Sequence, residues 1–267
     1  YNVSDYVQST KDILEIQNIG KIEKASIKLD GITYKYPNTD KYIFDKADMT
    51  IPVGSAVGVV GTSGAGKTTI FSLLTKSYVP QKWQILIDGV DINEIKISSL
   101  RAGIGQMLQD VFLFSGDIRS NITLFDNKFT DEEVLSACEK VNANYFINRL
   151  QNGLDEKVVE RGENFSQGQR QLLSFARTII HKPQILLLDE ATANIDTETE
   201  VLIQDSLEKM SSLGTMLVVA HRLSTIQKAN NIICLQNGEI VEMGTHKELL
   251  KNKNYYYKLY QLQFKTK

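Results

Sequence analysis

The residues best suited to chemistry lie in one short run. Gly61-Thr62-Ser63-Gly64-Ala65-Gly66-Lys67-Thr68 fits G-x-x-x-x-G-K-[ST] at every fixed position, and Thr69 follows. Glycines at this spacing let backbone N–H groups turn inward toward phosphate oxygens, and a following helix start adds positive partial charge. Lys67 supplies a mobile cation for the outer phosphates, and the Thr68 hydroxyl suits Mg²⁺. The plain alternative is a Gly- and Ser-rich turn that matches by chance. A continuous apolar strand before the run (Ala56 to Val60) and a helix-like run from Lys67 argue against it. A second element completes the chemistry. Leu188-Asp189-Glu190 ends another fully apolar run, so its carboxylates emerge at the C-terminal end of a strand, where ligands bind in parallel sheets. Asp189 is placed to hold Mg²⁺ directly or through water, and Glu190 to take a proton from an attacking water.

The elements that must position these groups are legible around them. Ala56–Val60, Ile185–Leu188 and Thr215–Ala220 read as strands buried on both faces, which predicts a mostly parallel α/β sheet. Ile27, Leu29, Tyr34 and Tyr36 suggest two strands joined by a turn at Asp30-Gly31, with Pro37 ending the second. Between about Leu100 and Ile180 the pattern is mostly helical. It includes a capping-box start at Thr130-Asp131-Glu132-Glu133 and a helical run from Gln171. Asn237-Gly238 between two apolar runs predicts a hairpin, and Thr245-His246-Lys247-Glu248 opens a C-terminal helix.

The segment Gly162-Glu163-Asn164-Phe165-Ser166-Gln167-Gly168-Gln169-Arg170-Gln171 narrows the choice among phosphate-binding folds. It resembles the L-S-G-G-Q signature of ABC ATPases and lies about twenty residues before Asp189. Phe165 and Gln167 depart from the pattern; Ser166, Gly168 and Gln169 keep it. Ser166 suits a helix N-cap, and Gly168 allows close approach of the backbone to a ligand. The resemblance covers about Ala25 to Tyr260 and assigns further roles. It implies a P-loop NTPase core with an antiparallel β subdomain and a helical signature subdomain. Tyr36 stands where the family stacks adenine, with Tyr34 the likelier core residue. Gln109 stands where the family's glutamine meets Mg²⁺ or the attacking water, and His221 where a switch histidine meets the γ-phosphate. Ala193-Asn194-Ile195-Asp196 matches the segment facing the opposite subunit. For Asp196 a simple helix N-cap is the bland alternative. His181 and His246 lack such context and read as surface residues. Trp83 stands where the family usually has glycine.

Val159-Glu160-Arg161-Gly162 and Phe114 to Ile122 resemble the exporter branch of the family. That resemblance implies an ATPase using ATP and Mg²⁺. It pairs head to tail with a second ABC ATPase domain, so that each ATP meets the partner's Ser166, Gly168 and Gln169. Residues 1–24 would link it to a transmembrane domain fused N-terminally, and residues 25–267 would form the ATPase, with a helical subdomain at about 100–180. It would work at the cytoplasmic face of the cell membrane. A separate importer subunit and a soluble ABC-type ATPase are the alternatives. Bulk properties fit: a net charge of −2 lacks the basic excess of nucleic-acid binders. Cys138 and Cys234 form no metal spacing, which suits a reducing compartment. No run approaches the roughly 18–20 apolar residues that span a bilayer.

Overall fold

A computed structural model describes residues 22–37, 39–80, 82–189, 195–220 and 222–264. The strands, in chain order, are β1 (Ile27–Tyr34), β2 (Phe44–Ile51), β3 (Ala56–Gly61), β4 (Lys82–Ile87), β5 (Val90–Asp91), β6 (Ile104–Met107), β7 (Gly116–Asp117), β8 (Lys157–Val158), β9 (Ile185–Asp189), β10 (Thr215–Val219), β11 (Asn231–Gln236) and β12 (Glu239–Gly244). The helices are α1 (Lys67–Leu74), α2 (Ile97–Gly103), α3 (Ile118–Thr123), α4 (Asp131–Lys140), α5 (Asn144–Ile147), α6 (Gln167–Ile180), α7 (Thr197–Ser211), α8 (Leu223–Ile226), α9 (His246–Asn252) and α10 (Tyr255–Phe264).

Two sheets carry the fold. The larger runs β12-β11-β3-β10-β9-β6, parallel except for the β11–β12 hairpin at its edge. The smaller, β2-β1-β4-β5, is antiparallel. Every residue of β9 and β10 is buried, as expected of parallel strands covered on both faces. Alternate side chains of the large sheet serve two different cores. Val57, Val59, Ile185, Leu187 and Val219 pack with α1 and the antiparallel sheet. Val60, Leu186, Leu188 and Val218 pack with α4, α6 and α7 on the other face.

Asp30-Gly31 does not turn the chain. It lies inside β1, where the register with β2 shifts between Leu29 and Ile32. Gly31 takes φ 60°, and its N–H donates to the Asp48 carboxylate at 2.7 Å. A bulge and a tight turn both need a positive φ, so the same dipeptide serves either. The stretch expected to be mostly helical from about 100 to 180 holds the end of α2, then β6, which belongs to the large sheet, then α3 to α6 with the small β7–β8 pair. Asn237-Gly238 makes the expected two-residue hairpin, since Gln236 pairs with Glu239. Thr130 and Thr245 each form full capping boxes.

His246 is not the plain surface residue expected. Its Nδ1 lies 2.7 Å from the hydroxyl of the fully buried Tyr256, and its ring meets Tyr260 at 5.6 Å. Burial pushes its pKa below the ordinary histidine range. His181 is exposed, edge-on to Phe129.

Two polar anchors hold the peripheral layers. Asn121 is wholly buried. Its Oδ1 accepts from Phe114 N (2.8 Å), and its Nδ2 donates to Phe114 O and Asp117 O. From α6, Arg177 donates to Asn121 O (2.8 Å), Asn121 Oδ1 (3.1 Å) and Phe112 O (2.9 Å). Asp88 gathers the backbone N–H groups of Glu23, Lys24, Ala25 and Ser26 at 2.8–3.1 Å. Burial pushes its pKa up, but these four bonds together outweigh that and leave it lowered.

Two expectations follow. Asn121→Ala strips partners from buried backbone groups and from Arg177; a loss of about 2–4 kcal/mol in urea titration is expected. Because the folded-state pKa of Asp88 lies below its unfolded value, its contribution is present above the unfolded value near pH 4 and is lost as pH falls through the folded one. Asp88→Asn should flatten the acid limb of a stability–pH curve; an unchanged limb would deny Asp88 this role.

Candidate active site

The sheet order brings the expected groups to one edge. β3 ends at Gly61 and β9 at Asp189, with β10 between them and Val219 in register with both Val59 and Asp189. The C-terminal ends of these strands therefore carry the glycine-rich loop, Asp189 and, past Ala220, the chain leading to His221. Glu190 and His221 lie outside the described residues.

The loop is built to leave donors open. Gly66, the N-cap of α1, sits at φ 98° in the left-handed region, and no side chain caps the helix. A Cβ there would lie 2.9 Å from Ile43 Cγ2 and 3.0 Å from Phe44 Cζ, so glycine is required both by conformation and by the contact with β2. The first-turn N–H groups of α1 are left to an incoming anion. Lys67 is buried and folds back over the loop, its Nζ donating to Gly61 O (3.0 Å) and Thr62 O (2.9 Å). Burial pushes its pKa down, and the negative charge of Asp189 opposes that shift. The Thr68 hydroxyl donates to Asp189 Oδ2 at 3.0 Å. A hydroxyl and a buried carboxylate held together form a hard-oxygen pair, the chemistry that suits Mg²⁺. Ser63, Gly64 and Ala65 complete the loop, with Ala65 packed inward.

Tyr36 stands beside this loop. Its hydroxyl lies 2.9 Å from the Thr69 Oγ1, and its ring meets Tyr34 and Tyr78 edge-on, each at 5.3 Å. Tyr34 is the buried member, as expected. Gln109 is exposed, two residues past β6, whose Met107 pairs with Leu188 of β9.

Ser166, Gly168 and Gln169 start α6. Ser166 Oγ accepts from Gln169 N at 3.2 Å, and Gln169 Oε1 accepts from Ser166 N at 2.9 Å, a complete capping box. Phe165, one of the two departures from the pattern, is buried against Phe146 at 6.0 Å. Gly168 has a role that the sequence did not suggest. A Cβ on it would lie 2.2 Å from Thr199 Cγ2 and 3.2 Å from Ile195 Cγ2. Its close approach is therefore to the start of α7. Asp196 caps that helix, accepting from Thr199 N at 2.9 Å.

Comparison with known proteins places the chain among its relatives. A family model described as "ABC transporter" matches residues 44–193. The chain is 43% identical over 243 residues, 91% of its length, to an uncharacterized ABC transporter ATP-binding protein, YfiC, of Bacillus subtilis (strain 168), and spans 40% of that protein. It is 42% identical to the probable multidrug resistance ABC transporter ATP-binding/permease protein YheH of the same organism, covering 89% of this chain and 35% of the relative. The solved structure of a bacterial Atm1-family ABC exporter with ATP bound superposes with a TM-score of 0.84 at 34% identity, over 98% of this chain and 47% of that one. The chain thus spans less than half of each relative.

Gly168→Ala should cost about 1–3 kcal/mol by overpacking against the stiff, β-branched Thr199. Thr199→Ser, which keeps the hydroxyl and removes Cγ2, should recover most of it in the double variant. Strictly additive losses in denaturant titration would refute the contact.

Proposed function

Because this chain belongs to the ABC transporter family, as one of its ATP-binding domains, we propose that it is the motor of a multidrug-exporter-like transporter, working as a head-to-tail pair that encloses two ATP molecules. One observation carries this reading. The two helix starts suited to phosphate, those of α1 and α6, pack on opposite faces of the large sheet, in separate cores. The uncapped start of α1 is a complete cradle for one end of a nucleotide. The start of α6 exposes Ser166 to solvent and serves a nucleotide held by another copy.

In this reading Tyr36 stacks the base, and the backbone of Gly61 to Gly66 with Lys67 holds the phosphates. Ser166, Gly168 and Gln169 close the site from the partner. Thr68, Asp189 and Gln109 would hold Mg²⁺, which neutralises charge on the transferred phosphoryl group. Glu190 orients and deprotonates water, and His221 contacts the γ-phosphate. Asp196, besides capping α7, faces the partner. The distances from Lys67 to the loop carbonyls and from Thr68 to Asp189 support a preformed centre whose contribution is mainly positioning and electrostatics.

A membrane partner fits the surface. Phe112, Phe114 and Phe125 form an exposed edge-to-face row with centroids at 5.1 and 6.2 Å, and Leu108 beside Gln109 is also exposed. The row adjoins the β7–β8 pair, which leads into Val159-Glu160-Arg161. A contiguous apolar patch of this kind marks an interaction surface. No described helix is long and apolar enough to cross a membrane, so the transmembrane domain would be supplied outside the described residues, with this domain at the cytoplasmic face.

Glu190→Gln tests the assignment. It should bind ATP with unchanged affinity, hydrolyse it about 10²–10⁴-fold more slowly, and elute as a dimer by light scattering when ATP and Mg²⁺ are present. Wild-type turnover, or a monomer at saturating ATP, would overturn the reading.

A further inference from the structure

The C-terminal helix α10 touches the nucleotide machinery at both ends. Near its start, the Tyr255 hydroxyl accepts from Thr62 N and donates to Leu235 O, each at 3.4 Å. Thr62 is the second residue of the phosphate loop, and Leu235 pairs with Gly61. Eight residues on, about two turns and 12 Å along the helix, Gln263 Oε1 accepts from Leu223 N at 2.9 Å. Leu223 opens α8, whose N-cap, Arg222, makes no side-chain cap bond. Gln263 thus supplies, from a distant helix, an acceptor for the first N–H of α8. The capped residue lies two positions after His221.

The helix is fixed well enough to act as a strut. Tyr256 N donates to Glu242 Oε2 at 2.7 Å, while the Tyr256 ring is fully buried and its hydroxyl lies 2.7 Å from His246 Nδ1. The strut leaves from the β11–β12 edge of the sheet, passes the loop after β3 and ends at the segment after β10. The loop and that segment are separated by more than 150 residues of sequence, yet one ten-residue helix bonds to both.

We propose that Tyr255 and Gln263 are positioning residues for ATP hydrolysis. Tyr255 steadies the phosphate loop through Thr62, and Gln263 fixes the segment carrying His221 through Leu223. This rests on the roles proposed above for that loop and for His221. Neither side chain is assigned contact with nucleotide; each acts through backbone.

The test uses the chain described here, with steady-state ATPase kinetics, titration of a fluorescent ATP analogue and thermal melting. Gln263→Ala removes one neutral hydrogen bond and should lower kcat about fivefold, with KM for ATP and the melting temperature near wild type. Gln263→Glu keeps an acceptor oxygen and should restore kcat to within about twofold. Tyr255→Phe should weaken analogue binding about threefold to fivefold. The proposal is overturned if Gln263→Ala matches wild type, if Gln263→Glu is as slow as Gln263→Ala, or if kcat falls only in step with the melting temperature. A wild-type chain that binds no ATP would overturn the function proposed above together with this inference. A wild type that binds and hydrolyses ATP while all three variants match it overturns the inference alone.

Discussion

The hydrogen bond from Thr68 to Asp189 joins residues 121 apart in sequence, and the rest of the architecture is what makes it possible. Thr68 belongs to the first turn after β3, and Asp189 is the last residue of β9. The two strands do not touch, because β10 lies between them. Their ends meet only if three parallel strands share one register: Val59, Val219 and Asp189 lie level, and β3 runs two residues further to Gly61 before the loop begins. A slip of one residue would exchange the two faces of a strand, sending Leu186 and Leu188 into the wrong core and moving the carboxylate off the edge. The hydrophobic effect thus fixes the position of a polar pair. The side chains of β9 are divided between the two cores, Ile185 and Leu187 on one side and Leu186 and Leu188 on the other, and the register that makes this division delivers Asp189.

The same sheet also separates the two helix starts. A parallel sheet must be covered on both faces, so consecutive elements divide between two cores: α1 is buried with the antiparallel sheet on one side, α6 and α7 on the other. The helix starts that could bind phosphate follow that division. They also differ chemically. Gly66 leaves the first turn of α1 without a cap, while Ser166 and Gln169 spend two donors of the α6 start on each other. A capped helix start still carries its dipole and its remaining N–H groups, which suits a contact made and broken with a second molecule better than permanent occupancy.

Much of this was legible in the sequence, for reasons that are local. The phosphate loop, the capping boxes at Thr130, Ser166 and Thr245, and the Asn237-Gly238 hairpin each depend on residues within a few positions of one another, so composition and spacing report them directly. The fully apolar runs that became β3, β9 and β10 report burial on both faces. Where local chemistry fits two structures, sequence cannot choose. Asp30-Gly31 satisfies a turn and a bulge equally, and only pairing of β1 with both β2 and β4 decides for the bulge. His246 read as a surface residue because nothing near it in sequence marks the buried Tyr256 hydroxyl it meets. The contacts of Gly168 with Thr199, of Tyr255 with Thr62 and of Gln263 with Leu223 are long-range, with no periodic signal.

Gly168 shows why a motif is an incomplete guide to its own physics. At sequence level a glycine beside a phosphate-facing helix start suggests clearance for a ligand. In the fold the side on which a Cβ would stand is also taken, by Thr199 and Ile195, at the start of a helix capped by Asp196. The consequence is local: the N-termini of α6 and α7 pack so closely that no Cβ fits at Gly168. A residue of a ligand-type motif is thus also required by packing within its own chain.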